Sequence, residues 1–383
     1  MSTYPALAPQ VLRWARERAS LDEQGLARKM NVKPERVAEW ESTGFITRKQ
    51  VKKLADVTLT PIAYLYFPEP EEDRLPISDF RTVGGLPPKA PSPSLLETVY
   101  DLKFRQEWAR EEMISQEEEP IREVGSVSVS TPASEAARKL GEWLGIEPGG
   151  QSCASDPSSA FRLLRSAAEE AGVFVVSNGI VGNNTSQKLD PDEFRGFALH
   201  DEYAPFLFVN AADAKPAQVF TLVHELAHIL TGNSGVSSSG ESALDHGLER
   251  FCNQVAADFL LPTEMLDSES LRPLSSDDER LYARLAKRFH VSTHVIAIRL
   301  LHMGHVTKED CRRSLKRRTS RKVSARSGGD FYKTQNSRVG VRYGRMVARA
   351  LKEWRINHLE ACDLTGLKMG AMDNFMARLE DES

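Results

Sequence analysis

The stretch Phe220-Thr-Leu-Val-His224-Glu225-Leu-Ala-His228-Ile229-Leu230 sets two histidines four residues apart, with a glutamate directly after the first, inside an apolar helix-forming run. On an α-helix, positions four apart share a face, so one divalent ion can bridge His224 and His228. Glu225 then stands where it can take a proton from water on that ion. Pro216 suits the first turn of this helix, and Asp213 is expected near its N-terminal end. Val219, Leu222, Val223, Leu226 and Ile229 supply the faces that must be buried to hold it rigid.

H-E-x-x-H also occurs in ordinary helices, and a second helix separates the two readings. A catalytic zinc takes three protein ligands and keeps a position for water, so the histidines need one more donor. The run Leu248-Glu249-Arg-Phe-Cys252-Asn253-Gln-Val-Ala256-Ala257-Asp258-Phe-Leu-Leu261-Pro262 reads as that helix, with Glu249 near its start as the third ligand. Asn253, one turn later, can brace a histidine from behind. His246 is the alternative ligand or a transition-state helper, and His200 and Tyr203 are further candidates for stabilising an oxyanion.

HELAHIL, then Gly235-Val236-Ser237, then ERFCNQVAADFLLP together resemble the ImmA/IrrE family of metallopeptidases. The resemblance extends through Asp192-Glu-Phe194-Arg195-Gly196-Phe197 and Pro205-Phe-Leu-Phe-Val209-Asn210, and downstream through Phe289-His-Val-Ser292 and Ile298-Arg299-Leu300. It implies a zincin-like domain with His224, His228 and Glu249 as metal ligands and Glu225 as general base. It also implies Zn2+ as cofactor, with Mn2+ as the substitute, and a helix-turn-helix repressor as substrate, cleaved to relieve repression in a stress or mobile-element response.

The elements that must position these residues are mostly helices. Val173-Phe-Val-Val-Ser177, Phe194 to Leu199 and Phe206 to Val209 are short apolar runs that predict a small sheet before the metal helix. An open edge of such a sheet can hold an extended peptide by main-chain hydrogen bonds. The glycine- and serine-rich stretch from Thr231 to Gly240 predicts a flexible surface loop between the two metal helices.

Upstream, residues 8–67 predict a compact helical module. Leu26-Ala27, Val32, Val37 and Trp40-Glu41 match the core and signature positions of the XRE (Cro/C1-type) helix-turn-helix, which they resemble. That resemblance implies double-stranded DNA as a partner. Lys33, Arg36 and Glu39 would lie on or beside the recognition helix, with Arg48 and Lys49 on phosphates. Glu35 and Glu39 flank Arg36, and carboxylates repel phosphates, so docking of a protein such as another helix-turn-helix is the competing reading.

The fold class expected is therefore α+β and predominantly α-helical. Residues 1–70 form the helix-turn-helix module and 71–92 a proline- and glycine-rich linker. Residues 93–270 form the peptidase domain, 271–311 a helix–turn–helix-like extension, and 312–383 a basic linker with a C-terminal helical segment. Ser78-Asp79-Phe80-Arg81-Thr82 in the linker is part of the resemblance to longer, helix-turn-helix-fused members of the family. Arg312 to Arg326 holds eight lysines or arginines and no acid, which reads as a solvated linker or a nucleic-acid contact.

The 383 residues suffice for two or three cores, and a net charge of −4 excludes global basicity. Four widely spaced cysteines with no C-x-x-C fit reduced thiols in a cytoplasm, and no apolar run is long enough to span a membrane. The function expected is a metal-dependent endopeptidase. The alternative is a DNA-binding regulator or antitoxin-like protein whose peptidase-like domain is a sensor or partner-binding surface. Oligomeric state stays open, a dimer included.

Overall fold

The computed structural model describes residues 7–79, 90–237, 247–266, 279–307 and 331–381. The chain divides into two compact units, one of Met1–Pro76 with Pro88–Asp101 and the other of Ile77–Pro87 with Leu102–Ser383. The fold is mainly helical, with a small mixed sheet in the second unit. Among the described residues, no helix is long and apolar enough to cross a membrane.

The first unit holds α1 (Pro9–Arg18), α2 (Glu23–Met30), α3 (Pro34–Thr43) and α4 (Arg48–Thr58). Local chemistry sets their ends. The Asp22 carboxylate accepts from the Gly25 amide at the start of α2, and Asn31, left-handed at φ 56°, ends it. Pro34 occupies the first turn of α3, and Thr47 with Gln50 forms a capping box at α4. Val11, Leu12, Leu26, Met30, Val37, Trp40, Val51 and Leu54 make the core. The Glu41 carboxylate, 6 % exposed, accepts from Arg16 Nε at 2.6 Å and Nη2 at 2.9 Å. A buried carboxylate without that partner would cost several kcal/mol, about 3–5.

The second unit is built on a five-stranded sheet: β1 (Ser78–Asp79), β2 (Phe174–Asn178), β5 (Gly196–Leu199), β6 (Phe206–Asn210) and β7 (Gly235–Ser237). Its order is β1-β7-β5-β6-β2, while β3 (Ile180–Val181) and β4 (Asn184–Lys188) form a separate hairpin. β2 runs parallel to β6, β6 antiparallel to β5, β5 antiparallel to β7, and β7 parallel to β1. β2 and β6 are buried at every residue, and Phe174 stacks on Phe206 with centroids 4.7 Å apart. Around the sheet lie α5 (Pro93–Ser115, partly in the first unit), α6 (Ala133–Leu144), α7 (Pro157–Glu170), α8 (Lys215–Leu230) and α9 (Gly247–Leu260). α10 (Glu279–Phe289), α11 (Thr293–His302), α12 (Phe331–Val339), α13 (Val341–Lys352), α14 (His358–Thr365) and α15 (Met369–Asp381) complete it.

The three expected strands occur within two residues of their predicted ends. The stretch after α8 differs from expectation. Gly235–Ser237, expected within a flexible surface loop, is a fully buried strand inside the sheet, paired with Gly196–Ala198 on one side and β1 on the other. Gly and Ser content signals a loop, but here those small residues let a strand lie close against the helix beneath it. Ser78–Asp79 likewise joins the sheet from within a stretch expected to be irregular. Residues 238–240 of that loop, Phe80-Arg81-Thr82 and the basic run at 312–326 lie outside the described residues.

Candidate metal centre

α8 carries His224, Glu225 and His228 through the middle of the fold. Thirteen of its sixteen residues are buried, so the polar side chains it carries need partners there and not in water. Pro216 lies in its first turn, and Gln218 Nε2 donates back to the Ala211 and Asp213 carbonyls at 3.1 and 2.6 Å, tying the entering chain to the helix. α7 and α9 both pack on α8, with Leu164, Ala168, Leu222, Leu226, Val255 and Phe259 in the common core.

His224 Nε2, His228 Nε2 and one Glu249 oxygen all lie within 4.8 Å of one another. The two Nε2 atoms are 3.1 Å apart, His228 Nε2 is 2.8 Å from Glu249 Oε1, and His224 Nε2 is 3.4 Å from Glu249 Oε2. Ligand atoms on one tetrahedral zinc, at bonds of about 2.0–2.2 Å, stand roughly 3.3 Å apart. The observed separations bracket that value, so the three side chains fit a common cation. Exposure is 4 % for His224, 0 % for His228 and 1 % for Glu249, which places the set beyond bulk solvent.

The electrostatics follow from that burial. Desolvation acts against the Glu249 carboxylate, but the charge and hydrogen bonds of His224 and His228 hold it below the usual carboxylate range. Desolvation drives the His228 proton affinity down. Glu225 is fully buried, with neither oxygen in a hydrogen bond. Burial first, then the Glu249 charge, pushes it up to about 8, partly offset by His224 and by the Ser237 hydroxyl beside it. An uncommitted buried carboxylate with a raised proton affinity is suited to exchange protons with a reacting group.

Other predicted residues are placed as follows. Burial works against a charged His224 ring, but the charge and hydrogen bond of Glu249, then the Glu225 charge and the Asn253 side chain beside the ring, raise its proton affinity. The Tyr203 ring lies beneath the Arg110 guanidinium at 6.0 Å, and the His200 ring lies beside Gly232, past the end of α8. His246 lies outside the described residues. In the first unit Lys33, Arg36, Glu39, Arg48 and Lys49 are all exposed. Arg36 Nη1 is 2.5 Å from Glu39 Oε2.

Two residues without an assigned role in the sequence reading belong to the site. The Ser237 Oγ is 3.3 Å from His224 Nε2. Gly196 at the start of β5 meets Glu225 at close range, and an interior glycine in a predicted strand is the signal that marks such an approach.

No curated protein matches the chain. Residues 168–301, which include α8, α9 and the strands β2, β5, β6 and β7, match the family described as Peptidase_M78, IrrE N-terminal-like domain, and this stretch is therefore metallopeptidase-like.

Proposed function

We propose that the chain is a zinc-dependent endopeptidase that cleaves a helix-turn-helix repressor and so relieves repression. The observation that supports this most is the convergence of His224, His228 and Glu249 within 4.8 Å, beside the uncommitted carboxylate of Glu225. A divalent ion on those three residues supplies Lewis acidity to water and to a peptide carbonyl. Glu225 takes the proton of the attacking water at a carboxylate oxygen, holds it out of solvent, and returns it to the leaving amine. Asn253 orients the His224 ring.

The test is incubation of wild type and Glu225→Gln with helix-turn-helix repressors encoded beside the gene, with added zinc or manganese, read by intact mass. Discrete fragments from wild type alone are expected; equal cutting by both proteins would remove Glu225 from the mechanism.

The exposed set Lys33, Arg36, Arg48 and Lys49 supports a compatible role for the first unit, as the part that engages promoter DNA or the repressor. Arg36, already paired with Glu39, gives up that partner when it meets a base. Gel shifts on the region upstream of the gene, with Arg36→Ala, test the DNA arm. Loss of the shifted band in the variant is expected, and retention at wild-type affinity would exclude Arg36.

A further inference from the structure

Away from the metal helices, the second unit has a cleft of about 630 Å³ between the C-terminal half of α5, α7 and α13. That size suits a small molecule, since ligand pockets run from roughly 300 to 1,000 Å³. Its chemistry is unusual: among its fifteen described lining residues, six are arginine and four are glutamate, an excess of two positive charges.

Several of these arginines are committed to structure. Arg165 pairs with Glu169 at 3.4 Å, Arg349 with Glu353 at 3.0 Å, and Arg355 with Glu112. Arg162 and Arg342 are not matched in this way. Arg162 donates to Ser159 Oγ, and Arg342 Nη1 donates to the Glu169 carbonyl at 3.2 Å. The Arg342 guanidinium stacks 5.2 Å over Phe174, and its Nε is buried with no hydrogen-bond partner. Burial pushes Arg342 below its usual value, partly offset by the charges of Glu118 and Glu169 nearby. The Arg165 Nε, buried in the same wall, also lacks a partner.

We propose that this cleft binds a small polyanion, carrying phosphate or carboxylate groups, between Arg342 and Arg345 on α13 and Arg162 on α7. Guanidinium groups offer fixed pairs of donors that match phosphate and carboxylate oxygens. Met113, Val341 and Met346 add an apolar side to the same cleft. The ligand joins the helices α5, α7 and α13, and α7 packs directly on α8.

The test is calorimetric titration of the full chain at constant ionic strength with inorganic pyrophosphate and, separately, with citrate. Saturable one-to-one binding of at least one probe is expected, and which probe binds tells phosphate chemistry from carboxylate chemistry. Arg342→Gln and the exposed Arg345→Gln should each weaken it by about tenfold. Glu118→Gln, which removes a negative charge from the rim, should tighten it about twofold or more, a change that damage to the fold cannot produce. Absence of binding by both probes overturns the proposal. So does binding that ignores the α13 variants and disappears with His224→Ala, since the probe would then sit on the metal centre.

Discussion

Gly196 and Glu225 approach so closely that a Cβ on residue 196 would stand 2.9 Å from Oε1 of Glu225. The same atom would meet the Phe208 carbonyl oxygen at 2.8 Å and the Thr221 methyl at 2.6 Å. β5 can therefore lie over the Thr221–Glu225 face of α8 only because this residue has no side chain.

Gly196→Ala is expected to force β5 and α8 apart, at a cost of about 1–3 kcal/mol from overpacking. Thermal denaturation reads the stability loss, and peptide cleavage should fall further than stability does, because Glu225 is displaced. A variant with wild-type melting and wild-type turnover would show that the approach of β5 has no bearing on the site.

Asn253→Ala removes the side chain that lies against His224. Groups that orient a ligating imidazole strengthen metal binding, so the affinity is expected to drop about tenfold with the three ligands intact. Competition with a chromophoric chelator measures this. An unchanged affinity would leave Asn253 as a packing residue.

Asp156 caps α7, accepting from the Ser158 and Ser159 amides at 2.8 and 3.0 Å. Hydrogen bonds from the Ser159 amide, then from the Ser155 and Ser159 hydroxyls, lower its pKa from 3.8 to about 2. The folded value lies below the unfolded one, so the carboxylate's contribution is fully present above pH 3.8 and is lost as pH falls toward 2. Asp156→Ala should therefore melt lower than wild type at neutral pH, and the gap should narrow between pH 4 and 2. A gap of constant size across that range would contradict the assignment.

The helices that bring His224, His228 and Glu249 together were legible because a shared ion would demand a fixed spacing: two histidines on one face and a third donor opening the next helix. The strands at Phe174, Gly196 and Phe206 were legible because buried strands need continuous apolar runs. β7 was not. Three residues are too few to show a period, and Gly235 and Ser237 have low strand propensity on their own. What makes them a strand is the edge of β5 on one side and β1 on the other, contacts made only after the chain has returned from distant positions. The hydroxyl of Ser237 reached His224 by the same route, and so did the cleft at α13, whose arginines meet α5 and α7 only in the fold.

The central claim is that His224, His228 and Glu249 hold one divalent ion while Glu225 serves the chemistry alone. Elemental analysis of purified wild type, Glu225→Gln, Glu249→Ala and His224→Ala, each loaded with zinc and desalted, tests it most directly. About one zinc per chain is predicted for wild type and Glu225→Gln, and a near-complete loss for the other two. Zinc retained by Glu249→Ala at the wild-type level, or lost from Glu225→Gln, would contradict the assignment of ligands and base.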